Sequence, residues 1–569
     1  MKLFLNIKNN LNTKYLSLLS ILVIFLLLLS ILETIGLSSI PILISSIIKE
    51  SLFIENLNFK YLNYFYEELN QKEQIYYISL FIISFFLFKN LYHAFVFYFQ
   101  GKLVKSIKIF ISNKLFKYYI NQNYSFLFEK NSSKIIRTLS TDVGNATIYL
   151  LNLLNLFRDI FILIAVLSLL VISNPTITIS LFFILSIVVF SIYRLNRSKI
   201  FKRGKIIQFL SSEIIKIINE TIGLFKEIKV YNISDYQKKN FLQRITRAEK
   251  NIFYNYLITS LPRLILEVVS VSIIILIILY FLRYETSILT VLPFLSLIVL
   301  AIIRLVPIFS GISSSLTTLK SIQPSFQLVM EELQKEKDSR NNEDLHNLNF
   351  KNKIILNNVS FSYPGYEDNK IIKNLNIEIK SGDKIGIIGS SGSGKSTFIN
   401  LIMGFLKPTG GQILIDDVDT SSLKYRIRNL GFVPQEIFLL EDSVIKNIAL
   451  GIDDKEIDLE KIKSVSMSAQ IYDNIDQLKE KFNTVVNERG INFSVGQKQR
   501  LGVARALYRD SNILILDEST SSLDENTEKK FVEDIFSISN DQTIIFISHR
   551  MSALKKCSKI FDVEKNKFI

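Results

Sequence analysis

Chemistry enters this chain at residues 389–397, GSSGSGKST, where Gly389, Ser390, Ser391, Gly392, Ser393, Gly394, Lys395, Ser396 and Thr397 follow the apolar run KIGII. Glycines at this spacing let backbone amides close on an anion, and a helix starting at the lysine turns its positive end toward the same point. Lys395 is then placed to reach the β and γ phosphates of ATP, and the Ser396 hydroxyl to ligate Mg2+. Residues 513–518, ILILDE, are four apolar residues ending in two carboxylates. At a strand's end Asp517 would hold the magnesium ion through water. Glu518 would polarise the water that attacks the γ phosphate, because phosphoryl transfer mainly needs positioning and charge neutralisation. His549, in FISHR after another apolar run, is spaced from this pair for a γ-phosphate contact, although a histidine standing alone is more often structural.

These groups need alternating strands and helices to hold them. Residues 353–365, KIILNNVSFSYPG, alternate as strands do, and 384–405 read as buried strand, glycine loop and helix, which predicts an α/β nucleotide-binding domain over 351–569. Ahead of it, 331–350 is polar and free of β-branched runs, as a linker or frayed helix is.

Upstream the chain changes character. Of its 569 residues 49% are hydrophobic, and a mean hydropathy of +0.29 is high for a soluble protein. Residues 351–569 hold 30 Lys and Arg against 30 Asp and Glu, so the net charge of +15 resides in residues 1–350. Apolar segments of the roughly 20 residues that a bilayer demands fall at 15–40, 75–98, 150–172, 176–193, 261–282 and 288–308. They predict an all-α membrane domain of six helices over 1–330. Loops 101–135 and 194–250 are rich in Lys and Arg, whereas 49–73 carries five acidic residues against three basic ones. Positive loops stay in the cytoplasm. Both termini then lie inside and the hairpins 174–176 and 283–287 outside, as does a longer segment, 51–69, that suits a short amphipathic helix. The same rule accounts for the basic loops without a nucleic-acid partner. The first apolar run is too long for a signal-peptide core and is expected to remain as a helix. A single cysteine, Cys557, excludes an internal disulfide. The wealth of Ile, Lys and Asn points to an AT-rich genome and so to a bacterial inner (plasma) membrane, with the ATPase domain in the cytoplasm.

Residues 492–507, NFSVGQKQRLGVARAL, lie just before the acidic strand and resemble the signature sequence of ABC transporters. The full set is similar to that family's ATPase in chain order: Tyr363 in the adenine-stacking loop, the phosphate loop, Gln435 in FVPQ, the signature, ILILDE, SSLD ending at Asp524, and His549. The resemblance implies that Gln435 joins Glu518 and His549 in catalysis, and Ser396 and Asp517 at the metal. It also implies that two ATPase domains sandwich two ATP molecules, each held by the phosphate loop of one subunit and by Ser494, Gly496 and Gln497 of the other, with Asp524 nearby. One chain holds one set, so a second copy of itself or a related half-transporter is the implied partner. The usual Leu-Ser-Gly-Gly-Gln reads Phe493, Ser494, Val495, Gly496, Gln497; Ser494 and Gly496 remain, so slower or retuned ATP use is expected rather than a dead site. Fusion behind six helices resembles the exporter architecture. Residues 124–143 and 223–236 resemble its two cytoplasmic coupling regions, and read equally well as solvated basic helices.

Charges inside the apolar segments call for a reason. Lys89, Arg263 and Arg304 fall at one approximate depth in the second, fifth and sixth helices, and a charge near the bilayer centre costs about 2.5–3.5 kcal/mol on insertion scales. Either Arg263 pairs with Glu267 while Lys89 and Arg304 snorkel to the interface, or the three form a positive ring for an anionic lipid head group. The local sequences LPRLILE, AIIRLVP and FLFKNLYHAF, with the long external loop, resemble lipid-linked oligosaccharide flippases of the PglK type, with Lys89 where an arginine is expected. That likeness implies flipping of a polyprenyl-pyrophosphate oligosaccharide, an anionic lipid-linked substrate, from the cytoplasmic to the outer leaflet. An exporter of lipid A, other lipids, drugs or peptides has the same engine. Arg158 and Asp159 rank lower as substrate contacts, since neighbouring residues on a helix do not share a face.

Overall fold

Each apolar segment is one portion of a longer helix. The computed structural model describes residues 10–48, 71–124, 126, 130–173, 175–283, 288–340, 345–421, 424–487, 490, 492–518, 525–538, 541–548 and 550–569. Asp524, His549, the external segment 51–69 and residues 174 and 284–287 of the outer hairpins lie outside them. Two compact units emerge, Met1–Gln122 with Glu129–Asp338, and Asn123–Phe128 with Ser339–Ile569.

The first unit is built from α1 (Thr13–Ile48), α2 (Gln71–Ile120), α3 (Ser132–Arg137), α4 (Val143–Ser173), α5 (Pro175–Gly223), α6 (Phe225–Val230), α7 (Ser234–Arg283) and α8 (Ile288–Arg340). Among the described residues six helices are long and apolar enough to cross a membrane. Helices α2, α7 and α8 run for 50, 50 and 53 residues, far beyond the bilayer's need of about 20. Hydropathy marks only the lipid-facing part of each; the polar continuation stays helical because its backbone bonds are internal and its charges either face water or pair with charges on neighbouring elements. The polar stretch 331–340 is such a continuation. Leu333 is buried there, Glu332 accepts from the Tyr119 hydroxyl at 3.0 Å and pairs with Lys130, and Glu336 pairs with Lys114 at 3.0 Å.

Buried stripes hold the helices together. Leu22 and Leu26 of α1, Ile107 and Ile111 of α2, Leu150 and Leu154 of α4, and Phe326 and Val329 of α8 form one apolar core, while Leu37, Val166, Leu185, Leu266 and Leu305 belong to another. Large apolar side chains such as Leu87, Leu91 and Ile187 remain exposed on the outer faces, where lipid covers them. At the base of α4 a π turn, Thr138–Asp142, carries a buried pair, Arg137 Nε to Asp142 Oδ2 at 2.8 Å; Gln208 of α5 accepts from Arg137 and donates to Asp142.

The second unit is α/β. Strands β1 (Leu345–Asn349), β2 (Lys353–Phe361), β3 (Ile372–Lys380), β4 (Lys384–Ile388), β5 (Gly410–Ile415), β6 (Val418–Asp419), β7 (Lys424–Arg428), β8 (Leu430–Val433), β9 (Ile513–Asp517), β10 (Thr543–Ile547), β11 (Lys559–Asp562) and β12 (Lys567–Phe568) make three sheets. The largest runs β12-β11-β4-β10-β9-β8, parallel except for β12. Every residue of β9 and β10 is buried, as parallel strands covered on both faces are. A four-stranded antiparallel sheet, β3-β2-β5-β6, flanks it. Helix α9 (Lys395–Ile402) follows β4, and α10 (Val495–Leu507) precedes β9. In Asn123–Phe128 the Tyr124 ring stacks on Phe405, centroids 5.5 Å apart.

Candidate functional site

Two constellations carry chemistry, one in each unit. In the second unit the buried strand β4 feeds the glycine loop, and α9 begins at Lys395 with no side-chain cap on its first turn. The first-turn amides of a helix lack internal acceptors, which leaves them facing whatever the loop encloses. Gly394 has φ 96°, and a Cβ there would lie 2.9 Å from Ile371 Cγ2, so backbone and neighbour both demand glycine. Lys395 is buried, its Nζ donating to the carbonyls of Gly389 at 2.9 Å and Ser390 at 3.1 Å. The Ser393 Oγ is buried without a partner among the described residues, an unsatisfied polar group in the cradle of the kind a bound anion satisfies.

The acidic pair closes the other side. Burial and the neighbouring Glu518 carboxylate push the Asp517 carboxyl up to about 6, against the pull of Lys395 and of the nearby Ser396 hydroxyl. Glu518 sits at φ 47°, an uncommon backbone region for a residue with a side chain. Gln435 Nε2 donates to Glu518 Oε2 at 2.7 Å. Two carboxylates and a serine hydroxyl converging here are the oxygen donors that Mg2+ takes, and a divalent ion there would relieve the repulsion that holds Asp517 up. The residues present fit ATP with magnesium.

Lys395, Ser396, Asp517, Glu518 and Gln435 thus meet as the motif order predicts, and Tyr363 joins them through a 3.3 Å hydroxyl contact with Thr397, its ring edge-on to Phe361. Ser494 and Gln497 form a capping box at the start of α10, bonding each other at 3.2 and 2.8 Å, with Gly496 in the same first turn. Val495 is helical and 63% exposed, so its side chain stands where another surface can meet it. Sequence reasoning missed Glu564, whose Oε2 accepts from the Ser390 hydroxyl at 2.9 Å; nothing local marks that acid.

In the first unit the apolar helices enclose charge. Lys89 is 2% exposed and its Nζ lies 3.1 Å from Glu33 Oε2; Arg304 Nη1 approaches the same oxygen at 3.7 Å, with 42% of its side chain exposed. Lys89 also sits 4.6 Å from the centre of the Phe86 ring. It does not snorkel to an interface, because its counter-ion is inside. The sequence reading missed Glu33, whose membership of the buried stripe Leu22, Leu26, Leu29, Glu33, Leu37 was the available signal. His93, one turn beyond Lys89, lies in the field of Arg158, Glu33, Lys89 and Arg304. Arg158 and Asp159 pair although their Cβ directions diverge: the long guanidinium arm folds back so that Arg158 Nε and Nη2 donate to Asp159 Oδ1 at 3.0 and 2.9 Å. Arg263 stands apart. It is exposed beside the buried Pro262, Leu266 and Ser270 stripe of α7 and makes no ion pair with Glu267 among the described residues.

Comparison with known proteins finds a family match in each unit. Residues 372–521 match the family described as ABC transporter, and residues 23–308 the family described as ABC transporter transmembrane region. The heterocyst differentiation ATP-binding protein HepA of Nostoc sp. is 28% identical over 486 residues, 83% of this chain and 78% of that protein. An ATP-dependent lipid A-core flippase of Paraburkholderia xenovorans is 26% identical over 487 residues, again 83% and 78%. The alpha-hemolysin translocation ATP-binding protein HlyB of Escherichia coli O157:H7 is 41% identical, but over 218 residues, 38% of this chain and 30% of that protein. The fold is that of a bacterial Atm1-family ABC exporter solved with ATP bound, with a TM-score of 0.73, 18% identity, and coverage of 96% of this chain and 94% of that one.

Proposed function

Since the chain belongs to the ABC transporter family, a multi-pass membrane protein that couples ATP hydrolysis to transport, we propose that it moves an amphiphile with an anionic head from the cytoplasmic to the outer leaflet. The best candidate is a polyprenyl-pyrophosphate-linked oligosaccharide, and the membrane is the bacterial inner (plasma) membrane. The observation that carries this reading is a pair of cations on two apolar helices, Lys89 and Arg304, meeting at one buried carboxylate. Ionisable groups inside a membrane domain mark substrate paths more often than they stabilise the fold. The lipid A-core flippase relative favours a second cargo of the same chemistry, a phosphate-bearing glycolipid.

In the ATPase unit the chain's own groups divide the work. Tyr363 stacks on adenine, and Lys395 leaves its loop carbonyls to hold phosphate oxygens beside the amides of residues 389–397. Glu518, steadied by Gln435, orients the attacking water and accepts its proton, with His549 on the γ phosphate. Ser396, Asp517 and Gln435 would hold Mg2+, which supplies positive charge against the phosphates when bound. A second copy of this chain contributes Ser494, Gly496, Gln497 and Asp524 to complete each site; a related half-transporter is the other possible partner. Residues 124–143 and 223–236 act as the coupling segments.

The test is substrate-stimulated ATP hydrolysis in reconstituted vesicles. Polyprenyl-diphosphate lipids should stimulate turnover where neutral amphiphiles of the same chain length do not. Arg304→Glu should abolish that stimulation while leaving ATP binding intact. Equal stimulation by neutral amphiphiles sinks the anion reading.

A further inference from the structure

Glu33 has no place in the transport scheme above, yet it is the residue on which the membrane cations converge. It lies on α1, is 7% exposed, and offers one oxygen, Oε2, to Lys89 Nζ at 3.1 Å and to Arg304 Nη1 at 3.7 Å. The two contacts differ in kind. Lys89 is sealed from its surroundings, with a side-chain exposure of 2%, and its ammonium hydrogen-bonds the carboxylate directly. Arg304 keeps 42% of its side chain exposed and stands beyond hydrogen-bond distance. A buried ammonium already satisfied by a carboxylate has little to offer a ligand, whereas a guanidinium with free donors does.

The surrounding charges do not change this count. Arg158 is bonded twice to Asp159, so that pair is neutral, and among the described residues His93 is the other titratable group near Glu33, Lys89 and Arg304. Lys89 and Glu33 cancel, leaving Arg304 as the net positive charge of the cluster.

We propose that Glu33 is a specificity-determining residue that sets the charge of the substrate site, consuming Lys89 as an internal counter-ion so that each chain presents one net positive charge, borne by Arg304, to an anionic lipid head. This rests on the anion reading of the preceding subsection. Its physical logic is release. Two uncompensated cations in each chain, four around the low-dielectric cavity of a homodimer, would hold a diphosphate too strongly to let it go on the far side, and a carboxylate held between the two cations of each chain keeps binding reversible. In a homodimer two such clusters supply two positive charges, the number of negative charges on a diphosphate diester.

The experiment measures ATP hydrolysis by the full-length protein in vesicles against the concentration of a polyprenyl-diphosphate lipid and of a neutral polyprenol. In Glu33→Gln the amide oxygen still accepts from Lys89, so position is kept while the charge is removed. The half-stimulating concentration of the diphosphate lipid should fall at least tenfold while the maximal stimulated rate also falls, and the response to the neutral polyprenol should not move. Tighter but slower is an outcome that loss of structure does not produce. Glu33→Asp, which keeps the charge, should stay within about threefold of the parent. Arg304→Gln should lose discrimination between the two lipids, because the remaining Lys89–Glu33 pair is neutral; this arm holds even if Glu33→Gln fails to fold. Weaker or unchanged diphosphate stimulation in Glu33→Gln, the same shift in Glu33→Asp, or discrimination that survives in Arg304→Gln would each overturn the proposal. Absence of diphosphate stimulation in the parent itself would instead remove the reading on which it rests.

Discussion

Replacing Lys89 by methionine removes one member of a pair that the membrane unit has sealed from solvent. With Nζ and Oε2 separated by 3.1 Å, Coulomb attraction at an effective dielectric near 20 is about 5 kcal/mol, most of it offset by the desolvation of both groups. The pair is therefore close to neutral relative to a well-packed apolar pair, but removal of one partner strands the other, at a cost of about 3–5 kcal/mol. Arg304 relieves the stranded Glu33 only in part. Its contact is 3.7 Å and its side chain 42% exposed, so screening limits it to about 1 kcal/mol. Lys89→Met should accordingly destabilise the protein by about 3 kcal/mol, and Glu33→Leu with Lys89→Met should lie within about 1 kcal/mol of the parent. Denaturant titration in mixed micelles, followed by tyrosine fluorescence, measures the parent, both single variants and the double variant as one thermodynamic cycle. A double variant as unstable as the sum of the two singles would refute the reasoning, because the charges would then not be compensating each other.

Val495 occupies a helical, exposed position at the start of α10, so Val495→Gly should leave the fold intact and raise the ATPase rate if the valine obstructs closure onto nucleotide; a rate unchanged or lower excludes that role. At Gly204 of α5 a Cβ would lie 2.0 Å from the Ser321 carbonyl oxygen, a backbone atom with little room to retreat, and Gly204→Ala should cost about 1–3 kcal/mol or more in the same titration. Burial pushes the Cys557 thiol up to about 12, so at pH 8 only about one thiol in ten thousand is ionised. A thiol-alkylating reagent at that pH should label the unfolded protein quickly and the native protein barely, and rapid native labelling contradicts the raised pKa of this half-buried thiol.

How much of this could be read without the structure follows from how local each determinant is. The phosphate loop, the acidic strand end and the signature Ser494 to Gln497 are set by residues within a few positions of one another, so local pattern and the family resemblance it carries located them. Hydropathy located the bilayer portions for the same reason. It could not place the ends of the helices, because the polar extension of α8 depends on Glu332 and Glu336 meeting Lys130 and Lys114 from sequence positions some 200 residues away. The Glu33–Lys89 pair was hidden likewise, since it depends on the register of α1 against α2. The Arg158–Asp159 pair could not be read from Cβ directions alone, because a guanidinium on three methylenes reaches around the helix. Arg263 shared depth with Lys89 and Arg304 in the sequence, but among the described residues only the latter two meet at Glu33, while Arg263 is exposed.

The most direct test of the central claim, that ATP turnover drives an anion-headed lipid across the bilayer through these cations, is a leaflet assay in vesicles reconstituted with the purified protein. A fluorescent polyprenyl-diphosphate glycan should change leaflet only with hydrolysable ATP, and should stop doing so in Arg304→Glu. Equal movement of a neutral polyprenyl glycan, or movement of the diphosphate lipid without ATP, would contradict the account.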